Sequence, residues 1–225
     1  MKAIDWQSLF DVKLALESFP FVIKGIGYTI LVSFLSMILG LILSIFLALA
    51  RSSNVKLLRW PARVYISFMR GTPILVFLFL LYFGIPVMGV NIQALPAAII
   101  GFSLNSAAYM AEINRAAITS IPKGQWEASR ALGLTSLRTF VSIILPQAFR
   151  IAIPSLGNVF LDLVKSSSLA ATISVPELFQ KAQIVAGRTM DWMTMIILVA
   201  LIYWGICMCV SALQEYLEKR YYIEH

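Results

Sequence analysis

At 225 residues, with 60% hydrophobic and 13% charged residues, the chain is too apolar for an ordinary soluble domain, which is about 45–50% apolar and about 25% charged. The net charge of +7 could suggest nucleic acid, but the basic residues cluster in the gaps between apolar runs, the pattern of cytoplasmic loops, and that excludes a nucleic-acid partner. With the only histidine at His225 and the only cysteines at Cys207 and Cys209, there is no metal ligand set and no CxxC pair.

Residues 1–20 mix Lys2, Lys13, Asp5, Asp11 and Glu17 with apolar residues at roughly helical spacing. This reads as an interfacial amphipathic segment, not a secretory signal. The apolar run 21–50 is longer than the about 20 residues that cross a bilayer, so the first span is expected to tilt or protrude. Arg51, Lys56, Arg59 and Arg63 follow with no acid among them. By the positive-inside rule that loop is cytoplasmic and the N-terminus lies outside. A second span is predicted over 62–87, kinked at Gly71 and Pro73 because proline removes a backbone donor. Arg70 lies deep in it, and either snorkels to the interface or pairs with Glu112 of the third span, for which Arg115 competes.

The third span is predicted over 94–115, with Asn105, Ser106, Ala107 and Ala108 forming a small, polar patch that suits close helix packing or the lining of a path. Next comes a polar stretch, 116–146. Pro122 and Gly124 end the preceding helix, residues 125–132 make a short helix, Gly133 suits a C′ position and Thr135 can cap the next helix. The result is a cytoplasmic helix–turn–helix that offers Trp126, Ala128, Ala131 and Leu132 to a partner's groove.

The fourth span, 147–172, carries Pro154, Gly157, Asn158, Asp162 and Lys165, which lipid would not tolerate, so it belongs inside the bundle. Ser155, Val159, Asp162 and Ser166 share one helical face. If that face lines a path for an amino acid, Asp162 meets the α-ammonium group, and Ser155, Asn158 and Ser166 supply hydrogen bonds. Alternatively, Asp162 and Lys165 neutralise one another at i, i+3. A compensated carboxylate favours a zwitterionic over a cationic substrate. Residues 174–191 read as an external connection with a short helix near the outer surface, and 192–213 as an apolar fifth span that leaves the C-terminus cytoplasmic. The whole chain, 1–225, is one transmembrane domain.

Glu127-Ala128-Ser129, then Gly133, then Ile143-Ile144-Leu145-Pro146 resembles the EAA loop of ABC-importer permeases: EAA, three residues, Gly, nine residues, I-x-L-P. Ser129 in place of the second Ala is the one departure. Arg70-Gly71-Thr72-Pro73 and residues 103–118, 145–158 and 168–178 are similar to the polar amino-acid branch, with the L-cystine permeases nearest. The resemblance implies an all-α membrane protein with the type I ABC importer permease fold. It implies five transmembrane helices in the bacterial cytoplasmic membrane, the N-terminus outside and the C-terminus cytoplasmic.

It further implies a dimer, with itself or a sister permease, two ABC ATPase subunits, and an extracellular solute-binding protein that delivers the substrate. Trp126, Glu127, Ala128, Ser129 and Gly133 would form the ATPase-coupling element. The external short helix could then gate the path or touch the binding protein. No GxxxxGK[ST] phosphate loop occurs. The chain is therefore expected to hold no cofactor and to be no enzyme, ATP being bound by the partner. An ion-coupled secondary amino-acid transporter is the alternative, but that class usually shows more spans and internal repeats. An intramembrane enzyme would need a nucleophile–base or metal set.

Overall fold

The computed structural model describes residues 9–221. Residues 1–8 of the expected interfacial segment, and His225, lie outside that range. The described chain is helical throughout. Helix α1, Val12–Val22, is capped by Asp11, whose Oδ1 accepts from the Leu14 N–H at 3.0 Å. The Asp11 N–H donates in turn to Thr194 Oγ1 at 2.9 Å, which ties the start of α1 to the start of the last helix.

A tight turn, Ile23–Gly25, leads into α2, Ile26–Ser52. One stripe of α2 is small or hydroxylated and buried: Thr29, Val32, Ser33, Ser36, Gly40, Ser44 and Ala48. The opposite side exposes Phe34, Leu39, Ile42, Ile45 and Phe46. Small residues let helices approach closely where lipid supplies no hydrophobic drive between them. The partner is α5, Ala94–Ser120. A Cβ on Gly40 would stand 2.5 Å from Ser106 Oγ and 2.6 Å from Met110 Cε.

Between them, α3, Lys56–Gly71, and α4, Ile74–Val87, meet at a bend of 106°. The single kinked span predicted over 62–87 is thereby corrected to two helices with a sharp break. Pro73 has no N–H for the Met69 carbonyl four residues earlier, and Thr72 is extended (φ −99°, ψ 130°). The orphaned carbonyl is not left bare, since Asn105 Nδ2 donates to it at 2.8 Å. Tyr65 Oη adds a second tie to α5 through the Leu104 carbonyl, at 2.8 Å.

Helix α6, Lys123–Ala131, is followed by α7, Ser136–Ile173. A π turn at Phe140–Ile144 lies just ahead of Pro146, whose missing N–H disturbs the α ladder, and Ser167–Ile173 tightens to 3₁₀ geometry. Helix α8, Leu178–Thr189, and α9, Trp192–Tyr221, complete the chain. Four helical stretches among the described residues are long and apolar enough to cross a membrane, and the bent α3–α4 pair makes a fifth.

Candidate functional site

On α5, Asn105, Tyr109, Glu112 and Ala116 recur at i, i+4, i+7 and i+11 and form one face. Across from it lies the face of α7 that bears Ser155, Val159, Asp162 and Ser166. Two cavities lie between these faces. The first, about 480 Å³, is lined by Ile74, Asn105, Ser106, Asp162, Lys165 and Ser166 among others. The second, about 500 Å³, is lined by Arg70, Glu112, Ala116, Ser120 and Ser155 among others. Tyr109 and Val159 line both, so the cavities stand in series. The second lies toward the α6 end, because α5 runs from Asn105 to Ser120 directly into the turn before α6.

Three of the four predicted binding residues therefore line cavities: Asp162 and Ser166 the first, Ser155 the second. Asn158 does not. At about 100° per residue it sits some 60° off the centre of the face, and its Oδ1 accepts from Gln214 Nε2 of α9 at 3.4 Å. Gln214 presses against the bare Gly157 next to it. Asp162 and Lys165 are paired at 2.8 Å, with side chains 71% and 59% exposed. Together they present one negative and one positive group side by side in the first cavity.

The expected Arg70–Glu112 pair is not formed. Glu112 is held by Arg51 at 2.6 Å and by Arg115 at 2.9 Å. The end of α2 brings Arg51 to the same depth as Glu112, and Arg115 is one turn along α5, so both of its oxygens are committed. Arg70 instead lies over the Tyr109 ring, 5.6 Å from its centroid. Tyr109 was not singled out from sequence, although its i+4 spacing from Asn105 was a signal that could have found it.

The helix–turn–helix keeps the predicted ending and restart, but its first helix begins at Lys123, so Gly124 lies inside α6 instead of ending α5, which stops at Ser120. Gly133 takes φ +73°, the Leu134 N–H reaches the Ser129 carbonyl at 3.1 Å, and the Gly133 N–H reaches the Arg130 carbonyl at 2.9 Å. This is a Schellman ending. Thr135 Oγ1 accepts from the Arg138 N–H at 3.3 Å and starts α7. Of the expected coupling residues, Glu127, Ala128 and Gly133 are exposed, and Leu132 beside them is 78% exposed. Ser129 is buried, its hydroxyl donating to the Gln125 carbonyl at 2.6 Å. Trp126 is half-buried against the cluster of Ala117, Ile121, Ile144 and Ala148, so it fastens α6 to the membrane body.

At the opposite end, Glu177 is fully buried. It caps α8 by accepting from the Gln180 N–H at 2.7 Å and also accepts from Tyr203 Oη of α9. Burial pushes its carboxyl above the usual carboxylate range, against the pull of these hydrogen bonds. Gly25 leaves the space for this packing: a Cβ there would stand 2.5 Å from Glu177 backbone carbon. The sequence reading placed residue 177 in an external connection, and nothing local marks it as buried.

Long apolar helices that enclose a polar groove make this a multi-pass membrane protein. Residues 40–222 match the family described as the binding-protein-dependent transport system inner membrane component, and the chain belongs to it. It is 61% identical over 98% of its length to the probable amino-acid ABC transporter permease protein YckA of Bacillus subtilis (strain 168), of which it covers 98%. It is 47% identical over 97% of its length to that organism's L-cystine transport system permease protein TcyB, of which it covers 92%. Among solved structures, an amino acid ABC transporter crystallised with histidines superposes with a TM-score of 0.86 at 35% identity, over 91% of this chain and 96% of that one. The chain thus has the ABC importer permease fold and is a bacterial inner-membrane component.

Proposed function

We propose that this chain is the permease subunit of an ATP-driven amino-acid importer whose substrate is zwitterionic, with L-cystine as the amino acid carried. The observation that carries the reading is the exposed Asp162–Lys165 pair in the first cavity. A cationic amino acid would call for uncompensated acids there. A matched pair instead suits an α-ammonium beside Asp162 and an α-carboxylate beside Lys165. Ser166, Asn105 and Ser106 add hydrogen-bonding groups around the same space. Relatives named for amino-acid transport and for L-cystine transport support the same assignment.

In this reading the N-terminus is extracellular and the C-terminus cytoplasmic. Two permease copies, or one with a sister permease, form the path, and two ABC ATPase subunits bind the α6 turn through Glu127, Ala128 and Leu132. An extracellular binding protein delivers the substrate. The test begins with tagged chain purified from native membranes together with its ATP-hydrolysing partner. In proteoliposomes, uptake of labelled L-cystine should require ATP and exceed that of L-arginine. Asp162→Asn should lower it about tenfold or more, the scale of losing one charge-assisted hydrogen bond. Uptake that persists without the ATPase, or is driven by an ion gradient alone, would overturn the proposal.

A further inference from the structure

The second cavity has no role in the reading above, yet it contains a charge with no counterpart. Arg70 has no carboxylate within 4.0 Å among the described residues, because Glu112, the acid lining the same space, is held by Arg51 and Arg115. Much of the remaining wall is apolar: Ile113, Ala116, Ala117, Ile151, Ala152 and Val159. A guanidinium facing such a space calls for an anion, since charge in a membrane-depth cavity is costly when uncompensated. Its position is also fixed. The break at Pro73 ends α3 beside it, Asn105 holds the Met69 carbonyl one residue away, and the Tyr109 ring lies beneath it. The planar fork of a guanidinium matches the two oxygens of a carboxylate.

We propose that Arg70 forms a second, carboxylate-binding subsite in the inner cavity, and that the two cavities in series hold the two ends of one L-cystine molecule. This rests on the substrate reading above. One end of the substrate lies with its α-ammonium and α-carboxylate against Asp162 and Lys165. The other passes Tyr109 and Val159, the residues both cavities share, and sets its α-carboxylate on Arg70. On α7, Asp162 and Ser155, one lining each cavity, lie seven residues and about 10.5 Å of axial rise apart, a span that calls for a ligand with a polar group at each end. An amino acid with one α-carboxylate reaches only one of the two positions, so Arg70 is a determinant of preference for a two-ended substrate.

The experiment is equilibrium binding of radiolabelled L-cystine and of S-methyl-L-cysteine, its one-ended counterpart, to the purified permease–ATPase complex. Wild type, Arg70→Gln and Arg70→Lys are compared, each first shown to co-purify with the ATPase. Arg70→Gln should weaken L-cystine binding tenfold or more and leave S-methyl-L-cysteine within twofold. Arg70→Lys should recover part of the loss, as a point charge without the planar fork. A structural role alone would weaken both probes together, and that outcome overturns the subsite. So does unchanged L-cystine binding in Arg70→Gln, which leaves the importer reading intact. Failure of the wild-type complex to bind L-cystine removes the substrate reading, and this inference with it.

Discussion

Glu177 and Asp162 are both carboxylates in a chain built for lipid, and the fold treats them oppositely. Glu177 is fully buried, with one oxygen bonded to the first turn of α8 and the other to Tyr203. Asp162 is 71% exposed in the groove, and its salt bridge is to Lys165 one turn away on its own helix. A buried acid survives only when its hydrogen-bonding capacity is used up. Full satisfaction makes a carboxylate structural, whereas an exposed acid held by one neighbour remains free to exchange that neighbour for a ligand. Glu112 stands between them, half-buried and doubly paired.

This contrast can be broken most directly at Glu177. Glu177→Ala should lower stability by about 2–4 kcal/mol, since it removes a helix cap and leaves Tyr203 Oη without its acceptor in the interior. Thermal unfolding in detergent measures it, and a change no larger than that of a surface substitution would erase the distinction. A smaller effect is expected from pH. Burial raises the Glu177 carboxyl, so the folded chain keeps its proton where the unfolded chain has lost it, above about pH 4.3. Its contribution is therefore complete below that pH and declines as pH rises toward the elevated folded value. Glu177→Gln, with a side chain that does not titrate, should flatten that part of the stability–pH curve. The smallest effect belongs to Asp162→Asn, whose stability should stay within about 0.5 kcal/mol of wild type because the pair it breaks is exposed. A loss comparable to that of Glu177→Ala would make Asp162 a structural residue and remove it from the binding reading.

The turn between α6 and α7 was legible because its signals are local. Gly133 adopts the positive φ that a C′ glycine serves, and Thr135 caps as its position before Arg138 requires. The α7 face of Ser155, Val159, Asp162 and Ser166 followed from helical period alone, and it does line the two cavities. Asn158 was misplaced because a residue some 60° off a face is claimed by whichever neighbour comes close, and Gln214 lies 56 positions away. Of the two partners weighed for Glu112, Arg115 pairs with it and Arg70 does not, and Arg51 was missed for the same reason. Arg51, Arg70 and Arg115 all stood at plausible depth, and only the packing of α2 against α5 brought Arg51 to 2.6 Å.

By itself the sequence determined that the chain is a helical membrane protein, where its breaks and caps fall, and which family spacing its polar turn carries. These follow from composition, from proline's missing donor and from a period of 3.6 residues, all readable within a few positions. Tertiary structure decided which charges meet, that Pro73 makes a break of 106° satisfied by Asn105, and that Arg70 and Asp162 line two cavities that share Tyr109. Those outcomes depend on contacts between helices tens of residues apart, and burial and pairing are properties of such contacts.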